Sequence, residues 1–408
     1  MSLLFHFQSL KAVNSPARMN PSELRASVSL AAVFALRLFG MFVVLPVLAL
    51  WADGRPGWSL TLVGIALGAY GLTQALLQLP FGWLSDRRGR KPVIHLGLAL
   101  LAVGSLVCAL AEGPWTMILG RVLQGAGAIS ATVLALAADL TRESQRTKSM
   151  AIIGSSIAAA FGLSFVAAPF LLGSIGVPGI FALTGALAVA AMAVVQFVVP
   201  EAPREDRGKP ASLAAVLRDP DLLRLNVGIF ALHAVLMALF VVVPIALVRA
   251  GLPPSEHWSV YLGTLVAGTA LMLPAIVGPL AGRERPVFLA AVATVGAAVA
   301  ILALRLESLG GIIAALVIFF AGFNVLEAKL PALVSRTAPR EARGAATGMY
   351  SSVQFLGTFF GGAAGGALAQ HAGFAAVLGA CVVVMAAWLA AAWNMAELPS
   401  AASPATRT

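Results

Sequence analysis

The sequence predicts an all-α polytopic membrane protein, with twelve transmembrane helices in two pseudo-symmetric halves of six. Three observations carry that prediction. Hydrophobic residues make up 60% of the 408, and charged residues only 11%. Soluble domains carry about 25% charged residues, so a soluble fold could not cover this much apolar side chain. Apolar stretches of the roughly 20 residues needed to cross a bilayer recur twelve times. The basic residues between them fall almost entirely on alternate connections.

Residues 1–23 read as a polar tail. They hold a short apolar start (Leu3, Leu4, Phe5) and no long apolar run of a cleavable signal, and Met19 is an alternative start. The spans are expected at 24–51, 60–84, 92–111, 114–138, 149–174 and 178–199, then at 222–249, 257–280, 286–305, 309–335, 342–370 and 372–396. The polar stretch 200–221 is a linker between halves 24–199 and 222–396, and 397–408 is a second tail. Spans are numbered 1 to 12 below.

Twelve spans put both ends of the chain on one side. That side holds Lys11, Arg18 and Arg25, then Arg87, Arg88, Arg90, Lys91, Arg142, Arg146, Lys148 and the basic residues of the linker. It also holds Arg283, Arg285, Arg336, Arg340, Arg343 and Arg407, against Arg55, Arg249 and Arg305 opposite. The positive-inside rule makes the rich side cytoplasmic. The net charge of +10 is therefore topological, and a nucleic-acid partner is excluded. Cys108 and Cys381 lie in apolar stretches with no CxxC or ligand neighbour, so neither a disulfide framework nor a metal site is implied.

A weak repeat relates the halves. GWLSDRRGRKPV at 82–93 matches GPLAGRERPV at 278–287, and TRESQRTKSM at 141–150 matches PREARGAATGM at 339–349, at nearly equal offsets. Six spans repeated in parallel is transporter architecture, with a site expected at the midplane between halves.

Ionisable residues inside spans are costly and are functional candidates. Arg37, in span 1, needs a carboxylate, an anionic substrate or water. Glu327 is the deep carboxylate of span 10, with Asn324 on its helical face. His233 lies well inside span 7, with Asn226 seven residues earlier. A carboxyl group desolvated in a cavity titrates nearer neutrality than one in water, so Glu327 is the first candidate to carry a proton. His233 is the second, since imidazole titrates near 6.5 unperturbed. A static ion pair and a satisfied core histidine are the alternatives. Glu327 and Lys329 point about 200° apart on a helix and should not pair; Lys329 is expected to snorkel. Tyr70, Gln74 and Gln78 recur every four residues on span 2, as a cavity wall or as helix-to-helix hydrogen bonds. Gly357, Gly361, Gly362, Gly365 and Gly366 suit close packing of span 11 rather than a phosphate cradle.

The loop from Gly82 to Pro92, with Asp86, Arg87, Gly89, Arg90 and Lys91, resembles the signature loop of the major facilitator superfamily, G-x-x-x-D-R-x-G-R-[KR]-x, in its family position. Arg121 and Gln124 in RVLQG match that superfamily's R-x-x-Q-G element of span 4. LRLFGMFVVLPVL (36–48), GAYGLTQALLQLPFG (68–82), ADLTRESQRTKSMA (138–151) and FNVLEAKLPALVSRTAP (323–339) resemble the YajR-type branch of its drug:proton antiporters. That branch's soluble C-terminal domain is expected to be absent, because about a dozen residues follow span 12. The span 5 antiporter motif is eroded: its slots hold Ser155, Ser164, Ala168, Pro169, Leu172 and Gly173.

The resemblance implies a latch. Asp86, at the end of span 2, would accept from the free N–H groups at the start of span 11, and Arg90 would pair with Asp139. A solvated basic turn is the alternative, and Gly282 replaces Asp86 in the second copy, so one latch is expected. The resemblance also implies that Arg121 couples protons to substrate, a backbone-bonded arginine being the alternative.

The expectation is a non-enzymatic secondary transporter of a bacterial inner membrane, with both termini cytoplasmic and a monomer as the family form. It would exchange a small amphipathic compound for protons, with the proton gradient as energy source and no cofactor or metal. Glu327, His233, Arg37 and Arg121 would couple the proton; Tyr70, Gln74, Gln78, Gln124, Asn226 and Asn324 would line the cavity. A proton symporter or metabolite permease on the same fold, and a transport-inactive sensor or scaffold, are the alternatives. Substrate charge stays open: Glu327 favours cations and Arg37 anions.

Overall fold

A computed structural model describes residues 18–201, 213–277, 283–339 and 342–393. Most of the two tails and half of the 200–221 linker lie outside these residues, as does 278–282 of the second repeat copy, with Gly282. The described residues are helical, without a strand.

Among the described residues, ten helical stretches are long and apolar enough to cross a membrane, and they hold the twelve expected spans. Glu143–Phe197 has 55 residues and Arg343–Trp393 has 51. At 1.5 Å per residue each is about 80 Å long, more than two bilayer cores. Each breaks at a glycine with positive φ, Gly176 at 65° and Gly373 at 79°. A side chain rarely adopts that backbone, so each break is a turn between two spans: 5 and 6 at Gly176, 11 and 12 at Gly373.

Span 1 begins at Pro21, slightly ahead of the expected start. Asn20 accepts from the Glu23 backbone and Glu23 from that of Asn20, both at 2.8 Å, and proline is favourable in the first helical position. The helix stops at Phe42 and resumes as Leu48–Ala52, because Pro46 cannot continue the backbone ladder.

Span 4 differs from expectation. It is not continuous but two helices, Pro114–Ala126 and Ser130–Asp139. The small residues around the break let it press on its neighbours. A Cβ at Gly125 would lie 2.1 Å from the Tyr70 carbonyl, and one at Gly127 2.3 Å from that of Gly97.

The halves meet along span 11. Its glycines press span 7 on one side, where a Cβ at Gly361 would stand 2.1 Å from the Ala234 carbonyl. They press span 2 on the other, where one at Gly362 would stand 2.5 Å from that of Gly64. At the end away from the arginine-rich loops the halves are sealed. Phe165 of span 5 stacks on Phe240 of span 7 and Tyr261 of span 8, at 5.8 and 5.2 Å. Gln370 Oε1 accepts from the Leu60 backbone at 2.9 Å. Toward the arginine-rich end, Gly154, Ser155, Ala158 and Ala159 of span 5 and Thr269–Leu271 of span 8 are exposed.

Candidate functional site

Two polar centres lie inside the bundle, one per half. In the second half, Glu327 of span 10 (Leu309–Thr337) faces His233 of span 7 (Pro220–Arg249). Glu327 Oε1 lies 3.6 Å from His233 Nε2, and a third of the Glu327 side chain is exposed. Gln354 of span 11 brings its amide nitrogen to 2.8 Å from the same ring nitrogen. For an amide nitrogen to donate there, the ring nitrogen must accept, which places the ring's proton on Nδ1. Three spans therefore converge on one ionisable pair. Glu327 Oε1 has no hydrogen-bond partner among the described residues.

The first half holds two buried guanidinium groups, Arg37 and Arg121, each 1% exposed. Arg37 donates to Ser130 Oγ at 2.9 Å, Tyr70 OH at 2.8 Å, Gln74 Oε1 at 2.7 Å and the Gly127 carbonyl at 3.2 Å. Every acceptor is neutral. Arg121 donates to the Ala66 carbonyl and to Gln124 Oε1 and sits 5.0 Å from the Tyr70 ring centre. Gln124 in turn donates to Ser105. One network thus joins both cations through Tyr70, and none of these hydrogen-bond acceptors is a carboxylate. Placing an arginine at mid-span costs about 2.5–3.5 kcal/mol even on insertion scales. Neutral acceptors reduce that cost without neutralising the charge.

The expected site residues sort as follows. Glu327 and His233 come together. Arg37 and Arg121 come together as well, but in the other half, and their hydrogen bonds go to neither. Tyr70, Gln74 and Gln78 form no open wall in this state; they are buried, because Arg37 draws Tyr70 and Gln74 inward and Gln74 donates to Gln78. Gln124 is buried for the same reason beside Arg121. Asn226 is buried with its side-chain oxygen unbonded. Asn324 donates to Thr269 of span 8, on that span's exposed stretch.

The loop from Gly82 contains the expected ion pair of Arg90 with Asp139, at 3.2 Å, and a second of Arg90 with Asp86, at 2.8 Å. Gly89, at φ 93°, is where the chain turns between spans 2 and 3. Arg87 lies over the Trp83 ring at 3.8 Å. Gly348 of span 11 approaches Leu79 of span 2 one helical stretch from this loop. Glu284 begins span 9 as Arg90 begins span 3, and it forms a bridge of reversed charge. It pairs with Lys329 at 2.6 Å and Arg336 at 3.4 Å. Lys329, itself 8% exposed, is held by this half-buried carboxylate at the start of span 9.

Sequence reasoning missed Gln354, Ser130 and Thr269. Gln354 had a signal: it is a polar residue in an otherwise apolar and glycine-rich span. Ser130 and Thr269 resemble any small hydroxyl residue in a helix.

The chain matches the family model described as Major Facilitator Superfamily over residues 30–328 and 262–407. It is 42% identical to the inner membrane transport protein YajR of Escherichia coli strain K12 over 392 residues, covering 95% of this chain and 86% of that protein. It is 27% identical to the multidrug resistance protein MdtH of Aeromonas salmonicida strain A449 over 342 residues, covering 83% and 86%. The crystal structure of the human organic anion transporter MFSD10 has the same fold, with a TM-score of 0.70 at 19% identity. The likeness covers 91% of this chain and 100% of that one.

Proposed function

The chain belongs to the major facilitator superfamily of membrane transporters, and we propose that it exports a small amphipathic compound in exchange for protons. The observation that carries this reading is the Glu327–His233 pair. It is an ionisable pair inside the bundle, partly open, and contacted by a third span from across the helix packing. Transport needs a group that changes charge as access alternates. A carboxylate inside a membrane protein is costly to carry through a closed state. Protonation removes that cost, so the loaded and unloaded forms favour different arrangements of the halves.

Similarity to a multidrug resistance protein supports an amphipathic substrate, and similarity to an inner membrane protein supports a bacterial inner membrane. The arginine bias supports cytoplasmic termini. On this reading the proton gradient supplies the energy, Arg121 couples the two halves of the exchange, and the protein works as a monomer. The arginine-rich face is then the one toward which spans 5 and 8 expose their facing stretches. A symporter on the same fold is the second reading, favoured by Leu172 at a small-residue slot of the span 5 motif.

The test is proton flux in energised inside-out vesicles, followed with a pH-gradient dye as a panel of amphipathic compounds is added. Wild type should collapse the gradient on addition of a transported compound, and Glu327→Gln should not. Equal collapse in both removes Glu327 as the carrier. Substrate and protons crossing in the same direction, rather than in exchange, establish symport.

A further inference from the structure

We propose that the broken span 4 and Arg37 form a binding site for the carboxylate of an otherwise apolar compound, which would make the exported substrate an amphipathic anion. The proposal deepens the transport reading above and rests on it.

The helix Ser130–Asp139 begins in the interior of the bundle, and no side chain caps its start. The first N–H groups of a helix lack partners within it and carry positive partial charge. Interrupted helices in transporters present such ends to anionic groups. A helix start alone is not a site, and here a second feature points to a ligand. Arg37 reaches the break with one guanidinium nitrogen on Ser130 Oγ and another on the Gly127 carbonyl. Its third nitrogen, Nε, is buried and has no partner among the described residues. Thr132 Oγ1, two residues into the helix, is likewise buried and unbonded.

Charge bookkeeping points the same way. Arg37 and Arg121 share Tyr70 and hold two positive charges within the first half. The acidic residues of that half, Glu23, Asp53, Asp86, Glu112, Asp139 and Glu143, lie at or near the ends of its spans. The carboxylate deep in the bundle, Glu327, is in the other half and faces His233. An anion at the break would complete a site that already supplies the free Arg37 Nε–H, a hydroxyl and helix N–H groups. Arg37 is flanked by the closely packed apolar side chains of Val33, Phe34, Ile129 and Val133, which must part to admit a hydrocarbon or aromatic body behind the charged group.

The test compares three probes of one shape, 1-naphthoate, 1-naphthamide and 1-naphthylmethylammonium, by calorimetric titration of the purified full chain. Naphthoate should bind at least about tenfold more tightly than the other two. Arg37→Gln should abolish that preference, and Arg37→Lys should keep part of it, because a lysine retains charge but not the planar guanidinium. Naphthoate should also slow hydrogen–deuterium exchange in the Ser130–Asp139 segment of wild type, which locates the site even if Arg37→Gln does not fold. Equal affinity for naphthoate and naphthamide, no naphthoate binding up to its solubility limit, or a preference that survives Arg37→Gln overturns the proposal. These titrations involve no proton gradient, so their failure leaves proton-coupled export to its own test on Glu327.

Discussion

Glu327 and His233 sit 3.6 Å apart, close enough to act as one titrating unit rather than two carriers. That has a measurable consequence in the vesicle assay. Glu327→Gln and His233→Gln should each lower substrate-driven proton flux by about tenfold or more, and the double variant should lose no more than the worse single one, since groups acting as a unit are not additive. A double variant whose loss is the product of the two single losses makes them separate carriers. Both residues were legible in the sequence, because an ionisable side chain inside an apolar stretch needs a reason to be there. Their pairing was not, because nothing in spans 7 and 10 separately fixes which faces meet. Gln354 belongs to the same class of blind spot: its polarity was visible, but its contact depends on how span 11 sits against span 7. Arg37 shows the reverse case. The sequence demanded a partner for it, and the fold supplied four neutral ones.

Elements were legible to the extent that glycine and proline punctuate them. The breaks at Gly176 and Gly373 fall where the apolar runs were divided, whereas span 1, expected as one run over 24–51, stops at Phe42 ahead of Pro46. The break in span 4 did not show, because GAGAIS reads as apolar as its surroundings; only tertiary contact with spans 2 and 3 explains why its glycines are used. The loop between spans 2 and 3 was legible from its motif, and its Arg90–Asp139 pair joins spans 3 and 4 as the motif implies. Asp86 binds the same guanidinium. Replacing it should therefore disturb the loop's alignment without unfolding the half. Asp86→Asn is expected to slow transport roughly threefold to fivefold, as the loss of a partly exposed pair worth about 0.6–1 kcal/mol would, with expression within about twofold of wild type. Initial rates in vesicles normalised to protein amount check this, and an unchanged rate removes Asp86 from the latch. The reversed bridge of Glu284 with Lys329 and Arg336 indicates that the second half keeps the geometry of this brace while exchanging the signs of its charges. The sequence hid it because a repeat is sought by identity, and charge reversal destroys identity while preserving attraction.

At the scale of the molecule, the two halves are joined tightly at one end. Span 11 lies between spans 2 and 7 with glycine against backbone, aromatic rings close spans 5, 7, 8 and 10 over one another, and Gln370 bonds the start of span 2. A seal of this kind is informative only if it opens. Apolar and aromatic contacts can part and re-form without leaving charges unpaired, whereas the internal cations stay with their own half. The arrangement therefore favours motion between halves over rearrangement within them, in keeping with rigid-body alternation about a central site. Cross-linking tests it. Leu60→Cys and Gln370→Cys place one thiol on each half at the sealed end. A short bismaleimide joining them should abolish transport, while each single-cysteine variant treated alike stays active. The native Cys108 and Cys381 are buried, so the same reagent on wild type is the control. Loss of transport only in the doubly substituted, cross-linked protein means that the sealed end must part in every cycle. Transport at full rate through fully cross-linked protein would mean that this end is a fixed hinge, and substrate would then have to leave by a path other than the seam between the halves.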